Sequence, residues 1–127
     1  EYTKIMHRLT SLSKEACRAY AESDPSLFIR TADLYFSAML SLGEFIHAPI
    51  ISSEHLEIRE IVKSVGAAYK PSGAGVGDIG LAFTDIIETK SALMQEIKRS
   101  KFEVLDLSRT DTGSMVNTSF THVKQDV

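Results

Sequence analysis

Between Tyr69 and Phe83 the chain reads YKPSGAGVGDIGLAF, and Gly73, Gly75, Gly77 and Gly80 in it are four of the seven glycines in 127 residues. Glycine loses more backbone entropy on folding than any other residue, so such a concentration needs a reason. Glycines alternating with small residues let successive backbone N–H groups converge on a bound anion. SGAGVGD, Ser72 to Asp78, between two strands fits such a cradle. Ser72 adds a hydroxyl donor and Lys70 an auxiliary positive charge. Asp78 carries the wrong charge for an anion. It suits accepting loop N–H bonds, orienting a substrate hydroxyl, or helping to hold a metal that bridges the charges. The competing reading is a hairpin tip with no ligand.

Gly75 to Gly80 also fits GxGxxG, the dinucleotide-binding pattern. That pattern needs a strand before it and a helix directly after it. LAFT follows instead, which prefers strand. No Gly-Lys-Ser/Thr is present for a P-loop.

The elements that must position this loop follow from periodicity. Ile5, Leu9, Leu12, Ala16 and Tyr20 predict a helix over about 3–21. Ser23 or Asp24 caps a second helix, Pro25 suits its first turn, and Phe28, Ala32, Tyr35, Met39 and Leu42 give its apolar face. Gly43 is placed to end it. Ser52 or Ser53 caps a third helix carrying Leu56, Ile61, Val62 and Val65, stopped by Gly66. AAYKPS and DIGLAFT predict two short strands, joined antiparallel by the glycine loop. Asp85 with Glu88 resembles a capping box ahead of a fourth helix with Ile86, Leu93, Met94 and Ile97, ending near Ser100. KFEVLDL predicts a last strand, and a Thr- and Ser-rich stretch follows from Ser108. The sum is one α+β domain.

Apolar residues are 43% and charged residues 24%, as in an ordinary globular domain with a real core. A net charge of −3 supplies no basic field for nucleic acid or an anionic membrane. No apolar run approaches the roughly 20 residues of a membrane span. The lone Cys17 permits no internal disulfide, fits a reducing cytoplasmic location, and lies near the core-facing stripe of the first helix, where packing is its expected role. His7, His47, His55 and His122 are scattered without metal-ligand spacing, so surface or capping roles are expected and no metal site follows from them. Glu57, Glu60 and Lys63 read as a solvated helix face. A chain that begins on Glu within a helical pattern reads as a piece of something longer.

KPSGAGVGDIGLAF resembles the third glycine-rich motif of the GHMP small-molecule kinases, in the SGAGxGDxGIAL form of the phosphomevalonate kinases. The likeness extends over about 85 residues, from DPSLFIRTADLYFSAMLSLG through SSEHLEIREIVKSVGAAYKPSGAG to KFEVLDLS. Val76 stands where a Gly is common, and Ile79 follows the Asp in place of a Cys or another small residue. The resemblance implies a ferredoxin-like C-terminal domain, with an antiparallel sheet of three or four strands and helices packed on it. It implies the substrate side of an ATP- and Mg-dependent kinase of a small alcohol or phosphorylated alcohol, such as mevalonate or phosphomevalonate in isoprenoid precursor synthesis. Ser72, Gly73, Ala74, Gly75, Gly77 and Asp78 would then lie near the transferred phosphoryl group. The family's ATP loop and its catalytic Asp and Lys belong to an N-terminal domain whose motifs this chain lacks. That domain is the implied partner, catalysis by this chain alone is not expected, and no catalytic residue or cofactor ligand is assigned within it. Asp111 to Gln125, DTGSMVNTSFTHVKQ, resembles what precedes the first helix of that domain in the family, which would make residues 111–127 a permuted lead-in segment packed near Glu1; the alternative is a polar tail. The other class of function is a non-catalytic anion- or metabolite-binding module, or a homodimerisation module, on the same fold.

Overall fold

The computed structural model describes residues 1–73, 75–77 and 79–107. Its order is α1 (Tyr2–Ala21), α2 (Pro25–Ile46), α3 (Ser53–Ser64), β1 (Ala68–Pro71), β2 (Gly80–Phe83) and α4 (Ile87–Arg99). This is the expected α+β class. Among the described residues the sheet has two strands rather than three or four. The segment 101–107, KFEVLDL, is not a strand: it runs past α4 without pairing to β1 or β2.

Helices α1 and α2 form a hairpin across a three-residue turn. Asp24 accepts the Leu27 N–H at 2.9 Å and Pro25 fills the first helical position, as their sequence order requires. The two ends of the hairpin are pinned by aromatic pairs, Tyr2 with Phe45 and Tyr20 with Phe28. Ile5, Leu9 and Leu12 meet Phe36, Ala38 and Met39 in one core with Val62 of α3 and Tyr69 of β1. Tyr20, expected on this stripe, is exposed. So is Cys17, which sits five residues past Leu12 and so points about 140° away from it.

Gly43 does not end α2. The helix runs on to Ile46, and His47 takes the left-handed conformation, φ +54°, in its place. The Ala48 N–H then bonds back to the Gly43 carbonyl at 3.0 Å. Gly43 is needed because the Ala48 carbonyl lies 2.8 Å from where its Cβ would stand. Helix α3 ends as its sequence predicts: Gly66 adopts φ +84°, and Ala67 N–H returns to the Val62 carbonyl at 3.2 Å. Asp85 and Glu88 make no capping box. Ile86 occupies the N-cap position, and Thr84 Oγ1 accepts the Ile86 N–H instead.

Asp33 of α2 ties down α3 through Arg59 at 2.9 Å and Lys63 at 3.7 Å, and the Arg59 guanidinium lies 4.4 Å over the Phe36 ring. Strand β1 packs against α2 and α3. Strand β2 pairs antiparallel on its other side, with Tyr69 opposite Ala82 and Pro71 opposite Gly80. Tyr69 is 2% exposed, and its phenol lies directly against Gly80, leaving no room for a Cβ there.

Gly80→Ala is expected to lower stability by about 1–3 kcal/mol through overpacking against the phenol. It should also shift the Tyr69 ring resonances. Gly66→Ala meets open space and has only left-handed backbone strain, about 1–2 kcal/mol, so it should leave those resonances alone. Urea unfolding with side-chain NMR separates the two.

Candidate functional site: the glycine hairpin and its buried support

The loop between β1 and β2 spans residues 72–79. The Ser72 N–H closes its base on the Ile79 carbonyl at 2.9 Å. Ser72 itself is exposed. Three glycines then serve three different ends. Gly73 has φ +63° and open space around it. Gly75 has φ +90° and packs so tightly on Ile50 that a Cβ would collide with the Ile50 carbonyl and lie 2.7 Å from its Cγ2. Gly77 has room for a Cβ and is not required by space.

Val76 takes φ +54°, a left-handed backbone that β-branched residues avoid. Its N–H donates to the Ile50 carbonyl at 2.9 Å, which holds the conformation in place. The loop thus carries local strain that the connector behind it offsets. A glycine would suit this position better.

The second support is His55, which surface or capping roles did not anticipate. It is 4% exposed, one turn into α3. Ser52 caps that turn by accepting the His55 N–H at 3.3 Å, which fixes where the imidazole starts. His55 Nε2 lies 2.7 Å from the Gly77 carbonyl and Nδ1 lies 2.7 Å from Tyr69 Oη. A carbonyl only accepts, so Nε2 carries the proton and donates it; Nδ1 then accepts the Tyr69 O–H. Burial pushes the Tyr69 phenol up to about 12, which keeps that hydroxyl a donor. The glycine loop, the first turn of α3 and β1 are thereby joined through one imidazole.

Lys70 sits at the base of the loop. Its ammonium donates to the Pro71 carbonyl at 2.7 Å and lies 5.8 Å over the Tyr35 ring. Burial lowers its pKa. Ala74 and Asp78 lie outside the described residues, as does His122. Ser72, Gly73, Gly75 and Gly77 come together in one turn with Lys70 on the strand leading into it, while the Val76 N–H and the Gly77 carbonyl are taken up by protein contacts.

Beside the hairpin an open cleft of about 860 Å³ lies between α3, β2, α4 and the segment 102–107. His55, Tyr69 and Gly77 form part of its wall, and the rest is largely apolar. Glu54 stands at the rim, its carboxyl held below the usual range by its own backbone N–H and by the Ser52 and Ser53 hydroxyls. Lys101, at the start of the 102–107 segment, is bound to Glu57 at 2.6 Å, and that bond raises its pKa.

Among the described residues no group of three or more His, Cys, Asp or Glu side chains is placed to hold a metal. Nor is any helix among them long and apolar enough to cross a membrane. A strand follows the glycines where GxGxxG dinucleotide binding would need a helix. Comparison with protein-family models, curated protein sequences and solved structures returns no match.

Sequence could have pointed to His55 by one signal only: its place three residues after a capping serine, on a turn that must face the connector. Nothing in spacing links it to Tyr69 or Gly77.

Tyr69 should ionise late, near pH 12. Its folded value lies above the ordinary 10.0, so the unfolded chain releases this proton first. Stability is therefore complete below pH 10 and falls as pH rises towards about 12. Ultraviolet phenolate titration alongside urea unfolding checks both, and Tyr69→Phe should remove the late step.

Proposed function

We propose that this chain is the substrate-side domain of an ATP-dependent kinase of the GHMP type, acting on a small alcohol or phosphorylated alcohol such as mevalonate or phosphomevalonate. The observation that carries the reading is the hairpin itself. SGAGVGD forms the turn between two antiparallel strands with left-handed glycines at 73 and 75, a geometry that suits phosphate contact through backbone N–H groups. Lys70, on the strand that leads into the turn, adds a cation whose ammonium lies on the Pro71 carbonyl. On this reading Ser72, Gly73, Ala74, Gly75, Gly77 and Asp78 face the phosphorylated end of the substrate in a ferredoxin-like domain. An N-terminal domain supplies ATP, Mg and the catalytic side chains, and the enzyme is cytoplasmic. Phosphoryl transfer depends mainly on positioning and charge neutralisation, which one wall of a cleft does not provide.

A non-catalytic module, binding an anion or metabolite or pairing as a dimer, is the second reading. It is favoured by the contacts at Val76 and Gly77, where the loop spends an N–H on Ile50 and a carbonyl on His55 rather than keeping both for a ligand.

Titration with inorganic phosphate and with phosphomevalonate, followed by backbone amide NMR, tests the kinase reading. Gly73, Gly75 and Gly77 should shift at millimolar ligand, with phosphomevalonate the tighter binder, and Val76 should move least. Stationary glycine amides while others move would refute the loop assignment. Equal response to phosphate and phosphomevalonate would favour the second reading.

A further inference from the structure

One side-chain amine differs from the others in its surroundings. Lys4, Lys14, Lys63, Lys90, Lys98 and Lys101 are exposed, whereas Lys70 alone among the described lysines is partly buried. Lys63 and Lys101 are paired with carboxylates, those of Asp33 and Glu57. The described contacts of the Lys70 nitrogen are instead with uncharged groups, the Pro71 carbonyl at 2.7 Å and the Tyr35 ring centre at 5.8 Å. Loss of water around an amine favours its neutral form, and the neutral form is the nucleophile. Strand β1 ends at Pro71, and Ser72 and Gly73 beyond it are exposed, so the nitrogen lies beside the open end of the strand.

We propose that Lys70 is a covalent modification site that condenses with small aldehydes to form a Schiff base. The lone pair of the neutral nitrogen attacks the carbonyl carbon. Proton transfer gives a carbinolamine, and its hydroxyl leaves as water while the carbon–nitrogen double bond forms. Counted from the ammonium, two of its protons depart with the carbonyl oxygen as water and one stays on nitrogen. Charge is conserved, and nothing is oxidised or reduced. The protonated imine keeps one N–H for the Pro71 carbonyl and a positive charge for the Tyr35 ring. Acylation would remove that charge, so a carbonyl electrophile is the class that fits. Burial lowers the Lys70 pKa, which raises the share of free amine at neutral pH. Desolvated lysines are the ones that serve as Schiff-base formers. An aldehyde that also bears a phosphate should be preferred, and this part alone rests on the proposed reading of the glycine turn.

Treatment of the full 127-residue chain with pyridoxal or with pyridoxal phosphate, borohydride reduction of each imine to a stable secondary amine, and peptide mass spectrometry test the proposal. At neutral pH, Lys70 should carry several-fold more adduct than Lys4, Lys14, Lys90 or Lys98. Its labelling should also rise at a lower pH than theirs. The preference should vanish in urea, where every lysine is solvated alike. Labelling of Lys70 no faster than that of the exposed lysines would overturn the proposal, and so would a preference that persists in urea. A preference seen only with pyridoxal phosphate, with the pH profile of an exposed lysine, would mean an ordinary amine loaded by a nearby phosphate, and would equally overturn it. Equal preference for Lys70 with both reagents would uphold the amine site and refute the phosphate reading of the loop instead.

Discussion

A buried phenol must hydrogen-bond, and most of the site is arranged around where Tyr69 does so. Its hydroxyl lies 2.7 Å from His55 Nδ1, and the other nitrogen of the same ring holds the Gly77 carbonyl, also at 2.7 Å. The imidazole is thus a strut between the core strand and the glycine loop. Its direction is set by the Ser52 cap one turn earlier, and the phenol's seat by the missing Cβ of Gly80. Remove any one of these and the others lose either a partner or a fit.

The loop is consequently less free than its composition suggests. Gly75 lies against Ile50 because no side chain would fit, and Val76 is held in a backbone conformation that it disfavours by a bond to the same carbonyl. Two contacts with the Ile50 backbone therefore hold the turn from behind. A turn held in advance would not have to order itself around a ligand, and the proposed kinase reading draws its physical support from that. The same rigidity would serve a purely structural hairpin.

The helices were legible because their signals are local. Asp24 and Pro25 act within one turn, Ser52 caps three residues ahead, and Gly66 supplies the positive φ at its own position. The failures are places where a distant contact decided. Gly43 looked like a helix end, but its small size serves the return of Ala48, and His47 made the left-handed turn. Cys17 was placed by proximity to an apolar stripe that in fact turns away from it. KFEVLDL has a strand's composition, yet no described strand edge accepts it. The glycine loop was legible as a turn between strands, but its support was not. His55 is 14 residues from Tyr69 and 22 from Gly77, separations at which pattern carries no information.

The central claim is that His55 is a fixed strut rather than a solvated side chain, and the nitrogen NMR of its ring tests this most directly. The account predicts one tautomer, with the proton on Nε2 slow to exchange, coupled across its hydrogen bond to the Gly77 carbonyl, and with a bare Nδ1 whose shift moves in Tyr69→Phe. A ring that averages both tautomers and exchanges its proton as fast as exposed His7, with no response to Tyr69→Phe, would contradict it.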